Sequence, residues 1–169
     1  MIGKPDAQLE RIVMGVDPGS VKAGIAVIRS AGGRLEVVSS RTLRFPNTER
    51  HEDRLVTLHD AVAEAVETYS PIACGIETPV YGVNPSSMLK LGRAQAAAIL
   101  AARSRDVPIF EFMPKAVKKA VTGNGNATKE QVAYMLRSIM ATPELPDSKD
   151  ETDAIAVAVS TLSHLGTTR

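Results

Sequence analysis

The stretch VMGVDPGSVKAGIAVI places two apolar runs either side of Asp17-Pro18-Gly19, with too few residues between them for a helix. Parallel strands need a crossover of a dozen or more residues, so the two runs are expected to pair as antiparallel neighbours. A third apolar run, residues 35–43, follows the turn SAGGR (residues 30–34), whose paired glycines suit a hairpin. The chain therefore opens as a meander, with strands expected at residues 12–17, 23–29 and 35–43. That opening argues against a dinucleotide-binding fold, in which the first strand leads into a helix.

After the meander the period changes. Leu55, Leu58, Val62, Ala65 and Val66 recur at helical spacing between residues 49 and 69, and Pro71 ends the element. Residues 72–77 read as a short buried strand, 86–105 as a long helix rich in alanine, and 109–112 as another short strand. Helices are expected around 114–121, 128–140 and 149–165. The sum is an α/β domain, a mixed five-stranded sheet with helices on both faces. No repeat, low-complexity segment or linker divides it, so residues 1–169 read as one domain with residues 1–11 as an N-terminal extension.

Composition excludes some classes. At 44% hydrophobic and 23% charged, the chain has ordinary globular proportions. No run approaches the roughly 20 apolar residues of a membrane span, and MIGKPDAQLER lacks the apolar centre of a secretory signal. No membrane partner is expected. Cys74 has no second cysteine to pair with and reads as a small buried apolar residue, in keeping with a reducing cytoplasm. The net charge of +1 gives no overall pull toward nucleic acid. Residues 84–129, however, hold eight basic side chains against two acidic ones, so a basic surface beside an acidic one is expected.

Four carboxylates stand out by position. Asp17 closes the first strand, and Glu77 closes the otherwise apolar IACGIE. Asp150 and Asp153 lie near the start of the last helix, where a three-residue step turns through about 300° and leaves them on nearly one face. Ser148 and Glu151 fit a capping box at the same helix start. The run from Ile155 to Val159 is apolar, which turns this helix inward and aims its aspartates at the sheet. Pairing of the first strand with the fourth would bring Asp17 and Glu77 together at the strand ends, where open α/β sheets build their sites.

Magnitudes then limit what such a cluster can be. Two like charges about 4 Å apart repel by roughly 4 kcal/mol at an effective dielectric near 20, against a whole-domain stability of about 5–15 kcal/mol. The cluster is either partly protonated or neutralised by cations. Oxygen donors without His or Cys suit Mg²⁺ or Mn²⁺. Two such ions roughly 3.5–4 Å apart suit phosphodiester hydrolysis. Taken singly, Asp17 also fits a turn before Pro18-Gly19, and Asp150 and Asp153 fit a helix N-terminus. Glu77 fits neither.

With these residues placed, the chain resembles the RuvC family of Holliday-junction resolvases, within the ribonuclease H-like superfamily. The likeness runs in order through IVMGVDPGSVKAGIAVI, GIETPV, NPSSMLKLGRAQAAAI, VPIFEFMPKAVKKAVTGNGNATKEQV and DETDAIAVAV, almost the whole chain. It implies that Asp17, Glu77, Asp150 and Asp153 are metal-binding catalytic carboxylates holding two Mg²⁺ ions, with Mn²⁺ as a substitute. It also implies a homodimer that nicks two strands of like polarity in a four-way DNA junction during recombination and repair, leaving 5′-phosphates. Branch-migration proteins of the RuvA and RuvB type are the implied partners.

The same resemblance gives Lys118 a catalytic and DNA-binding place, beside Lys119 and Lys129, where a cation can offset phosphate charge. Further DNA contacts are expected at Tyr81, Asn84, Arg93, Gly123 and Gly125. In TGNGNATK the two glycines can take positive φ and approach a phosphate, while Thr128 and Gln131 can cap the next helix. The helix at 86–105 has a counterpart at the family's dimer interface. Val80 stands where several family members carry an aromatic wedge, so Tyr81, which follows it, either supplies the stacking surface or packs under the loop.

Rival readings have discriminating features. A YqgF-like ribonuclease would show Tyr-Gly after the first aspartate, where this chain has Pro18-Gly19. An actin-like sugar kinase would need a second copy of the domain. A non-catalytic junction binder would not need all four carboxylates. A phage-type nuclease cutting branched DNA more broadly shares every feature named so far.

Overall fold

The structure is a computed structural model and describes residues 10–79, 84–141 and 145–167. Strand β1 (Arg11–Asp17) pairs antiparallel with β2 (Lys22–Ala31), and β2 with β3 (Arg34–Arg44). Gly32 and Gly33 join the second pair with φ of 57° and 77°. Two left-handed residues in a two-residue loop match the twist of the flanking strands, which is why glycines stand there. After α1 (His51–Tyr69), strand β4 (Cys74–Glu77) returns parallel to β1, and β5 (Ile109–Phe112) adds parallel to β4 after α2 (Pro85–Arg103). The sheet order is β3-β2-β1-β4-β5. Helices α3 (Pro114–Thr122), α4 (Lys129–Ile139) and α5 (Lys149–Thr167) complete the chain. Every expected element is present, with ends displaced by at most two residues. Among the described residues no helix is long and apolar enough to cross a membrane.

Alternation along the strands divides the core in two. Met14, Val16, Ile25, Val27, Cys74 and Ile76 face α1 and α2, where they meet Leu58 and Val62 and the alanines 94, 98, 101 and 102. The opposite parity, Val13, Ala26 and Ile28, faces α3, α4 and α5. Helices therefore cover both faces, as the mixed apolar pattern requires.

The face toward α5 is thin. A Cβ on Gly15 would lie 2.2 Å from the Ala154 carbonyl oxygen, one on Gly24 2.0 Å from the Asp150 carbonyl oxygen, and one on Gly75 2.0 Å from Thr161 Oγ1. Three adjacent strands thus each leave out a side chain where α5 crosses: at Gly15 and Gly24 the helix backbone rests directly on the sheet, and at Gly75 the Thr161 side chain fills the space. From Ala154 to Thr161 every residue of α5 is buried. Thr161 and Ser160 turn their hydroxyls back to the Val157 and Ala156 carbonyls, 2.8 Å each, so no polar group there lacks a partner.

The start of α5 is fastened differently from the expected capping box. Glu151 accepts hydrogen bonds from Ser40 Oγ at 2.5 Å and Thr42 Oγ1 at 3.5 Å, and Ser148 Oγ pairs with Thr42 Oγ1 at 2.6 Å. Hydroxyls of the edge strand β3 hold the helix entrance. At α4 the capping box is present as expected, with Thr128 and Gln131 in reciprocal bonds.

Candidate active site

Strand parity sets the first two carboxylates. Val13, Gly15 and Asp17 alternate onto the α5 face of β1, and Gly75 and Glu77 do the same on β4. The parallel register pairs Val16 with Ile76, so Asp17 and Glu77 emerge side by side at the same sheet edge. On the other side of β1, Asp17 is opposite Gly24, the residue on which the Asp150 carbonyl rests. The missing side chain at Gly24 is therefore what lets the first turn of α5 bring Asp150 and Asp153 over Asp17.

Electrostatics reflect the convergence. Burial, then repulsion from Glu77 and Asp153, pushes Asp17 up to about 7; Lys129 opposes this, and Asp150 adds to it. Burial and Asp153 push Glu77 up to about 7 against the pull of Lys129 and Lys118. Lys129 Nζ donates to Asp153 Oδ2 at 2.5 Å. Burial lowers the Lys129 pKa, but its bond to Asp153 and the charges of Asp153, Asp17 and Glu77 outweigh that and raise it. One ammonium thus stands among the acids.

Among the described residues, no three His, Cys, Asp or Glu side chains close tightly enough to grip a metal ion as they stand. The donor set nonetheless fits a hard divalent cation. It is all carboxylate oxygen, half-buried, and carries mutual repulsion that one ammonium does not cancel. An open cleft of about 240 Å³ adjoins it, lined by Lys129, Arg137, Lys149, Thr152 and Asp153.

The other expected site residues separate into groups. Lys118, half-buried on α3, is close enough to Glu77 to favour its ionised form. Lys119 is exposed on the same helix. Asn84 is the N-cap of α2, its side-chain oxygen accepting from the Ser86 and Ser87 amides at 3.0 and 3.3 Å. Arg93 is exposed on α2, the helix covering the other face of the sheet. Gly123 closes α3 with φ of 78°, the left-handed cap expected of it. Gly125 is not left-handed; a Cβ there would press to 3.0 Å on the Lys115 carbonyl, so space rather than φ accounts for it. Tyr81 and Val80 lie outside the described residues.

Gly15, Gly24 and Gly75 position the site and were not among the expected site residues. Their signal was available, since an isolated glycine in a buried strand marks close backbone approach. Ser40 and Thr42 carry no such mark, because a polar residue on an edge strand is ordinary.

Comparison with known proteins agrees with this fold. A Salinibacter ruber crossover junction endodeoxyribonuclease RuvC is 46% identical over 148 residues, covering 88% of this chain and 83% of that protein. The Thermus thermophilus RuvC structure superposes with a TM-score of 0.84 at 28% identity, over 92% of this chain and 97% of that one. The same T. thermophilus protein in complex with a Holliday junction substrate gives 0.81 at 27% identity, over 93% and 97%. Residues 13–161 match the family described as crossover junction endodeoxyribonuclease RuvC, and with the five-stranded fold and its edge of carboxylates in place, the chain belongs to that family.

Proposed function

We propose that this protein is a metal-dependent endodeoxyribonuclease that resolves four-way DNA junctions by paired symmetric nicks. The observation that carries the reading is the meeting of four carboxylates at one sheet edge, two from adjacent parallel strands and two from a helix laid on glycines. Family membership and a relative described in complex with a Holliday junction substrate support the choice of DNA branch.

Asp17, Glu77, Asp150 and Asp153 would hold Mg²⁺, with Mn²⁺ as a substitute and two ions per site. Bound there, such ions supply an activated water and stabilise the leaving oxygen, giving a 5′-phosphate and a 3′-hydroxyl. The protein's own part is positional. The rigid β1/β4 register fixes two donors, and the α5 entrance, clamped by Ser40 and Thr42, fixes the others. Lys129 and Lys118 place cations beside the attacked phosphodiester, where a preorganised charge acts on the transition state. The cleft next to Asp153 gives the strand a path across the edge. Lys119, Gly123 and Gly125 meet the DNA backbone from the α3–α4 side, and Asn84 and Arg93 from the α2 side, with Tyr81 as a further DNA contact. A homodimer, with α2 at its interface, would present two such edges to a junction, and branch-migration proteins would deliver it.

The test uses purified protein with Mg²⁺ and a labelled four-way junction, replication fork, linear duplex and structured RNA. Paired nicks on the junction, with 5′-phosphate ends and lost in Asp17→Asn, are the expected outcome. Cleavage of RNA alone, or junction binding without cutting, overturns the reading. Equal cutting of fork and junction would replace it with the broader branched-DNA nuclease.

A further inference from the structure

On the α1/α2 face of the same sheet edge, a second group of side chains has no part in the carboxylate site. His51 opens α1, and its Nε2 is shielded from solvent with no hydrogen-bond partner among the described residues. A shielded ring nitrogen without a partner is uncommon in a folded protein and calls for a ligand or ion to complete it. Lys90 and Arg93, three residues apart on one face of α2, are its nearest cationic neighbours across the packed α1–α2 pair. Neither has an acidic partner in any ion pair of the described residues.

The remaining charges around His51 are committed. Arg54, one turn along α1, donates to the carbonyls of Ser20, Pro46 and Glu49 at 3.0, 2.8 and 3.1 Å. The bond to Ser20 docks the start of α1 onto the loop that follows Asp17. Glu52, the one acid that favours a charged His51, is ion-paired with Arg50. Burial, and then Arg93, Lys90 and Arg54, hold the imidazole below its ordinary pKa, so in the free protein a neutral ring faces two unbalanced cations. Such a cluster is complementary to an anion.

We propose that His51, Lys90 and Arg93 form a seat for a phosphate of the DNA backbone, separate from the phosphodiester that is cut. The placement rests on the nuclease reading above, because the α1 entrance is tied to the loop leaving Asp17 and so shares its edge of the sheet. A strand crossing the carboxylates between Lys118 and Lys129 continues over this corner. The seat then fixes how far along the strand the cut falls, with the two cations neutralising one phosphate beside the His51 ring.

The test measures binding in EDTA, without cutting, so that it reads the seat apart from the nuclease activity. Full-length protein is titrated into a labelled four-way junction and a linear duplex over a range of NaCl concentrations. The slope of log affinity against log salt for the double variant Lys90→Gln/Arg93→Gln is expected to shrink by about 1, the loss of one phosphate contact. Arg34→Gln, at the far hairpin, leaves the slope unchanged. In the unaltered protein, the ¹⁵N signal of His51 Nε2 is expected to shift on adding DNA and to remain in place on adding DNA to the double variant. An unchanged slope in the double variant overturns the seat, as does a His51 signal that moves with inorganic phosphate but not with DNA. Failure of the nuclease reading shows instead as absent junction cutting by the unaltered protein in Mg²⁺.

Discussion

The two faces of the sheet carry the same strands and are built to opposite rules. Toward α1 and α2 the strands present full side chains, Met14, Val16, Ile25 and Ile76, which α1 meets with Leu58 and Val62 and α2 with alanine. Where α5 crosses, three strands present glycine, and the helix supplies the bulk with Ile155, Val157 and Val159. The first arrangement maximises apolar volume and tolerates some adjustment of side chains. The second brings backbone against backbone, so it fixes position closely and tolerates little. The carboxylates sit on the second face, which ties the chemistry to the least adjustable contact in the molecule.

The largest expected effect separates catalysis from folding at that edge. Asp17→Asn and Glu77→Gln should each lower cleavage by about 10³-fold or more, the scale of removing one preorganised group from an active site. Both should raise the melting temperature in EDTA at pH 8, because each removes a charge that burial and its neighbours disfavour. Activity and stability moving in opposite directions is the signature. A variant that loses both would mean that the carboxylate supports the fold.

A pair of adjacent residues in β1 compares the faces directly. Gly15→Val puts a branched side chain where even a Cβ meets the Ala154 carbonyl at 2.2 Å. Overpacking of this kind costs about 3 kcal/mol or more, and the molecules that fold should cut poorly, since α5 must lift away with Asp150 and Asp153. Met14→Ala, fully buried on the other face, should cost about 2–5 kcal/mol by leaving a cavity. Its folded fraction should keep near-normal cleavage. Denaturant titration and single-turnover cleavage, corrected for folded fraction, distinguish the two. Equal activity in both would deny the difference between the faces.

The pH dependence follows from the same carboxylates. Asp17 and Glu77 rise from 3.8 and 4.5 to about 7 in the folded protein, so between those values the native state holds protons that the unfolded chain gives up. Their contribution to stability in EDTA should therefore be full below about pH 4 and decline as pH rises through 7. Glu77→Gln should flatten that decline, and Mg²⁺ should offset it at pH 8. Thermal unfolding from pH 4 to 8, with and without Mg²⁺, measures it; stability rising with pH across that range would contradict the burial of two raised carboxyls.

The sequence was more legible about elements and acids than about how they meet. Strand and helix positions followed from apolar period, Gly32-Gly33 and Pro71, and each ended within two residues of expectation. Asp17 and Glu77 were legible because a carboxylate that ends a buried apolar strand must be met by a cation, a proton or water. The closeness of α5 was not, since it depends on Gly15, Gly24 and Gly75 lining up across three strands, and that alignment exists only once register is set. Glu151 was misplaced for a related reason. Its local partner, the helix start, was visible in sequence, whereas Ser40 and Thr42 lie more than a hundred residues away. His51 gave no signal at all, because a histidine at a helix start becomes unusual only when its neighbours are known.

The smallest effect concerns how a surface turn reaches the site. Thr128 caps α4 through the Gln131 amide at 3.2 Å, and Gln131 returns a bond to the Thr128 amide at 2.9 Å. Lys129 is the next residue, so the cap sets the direction from which its ammonium meets Asp153. Thr128→Ala should cost about 1 kcal/mol of stability, an ordinary loss for a cap. If the cap also aims Lys129, cleavage at saturating DNA should fall further in Thr128→Ala than in a Ser86→Ala control on α2, whose side chain takes no part in either site. Thr128→Ser, which keeps the accepting oxygen, should restore both measures. Stability lost without any change in single-turnover rate would place Lys129 under the control of Asp153 alone, making the α4 turn a support for the fold and the β1–α5 contact the sole source of the site's geometry.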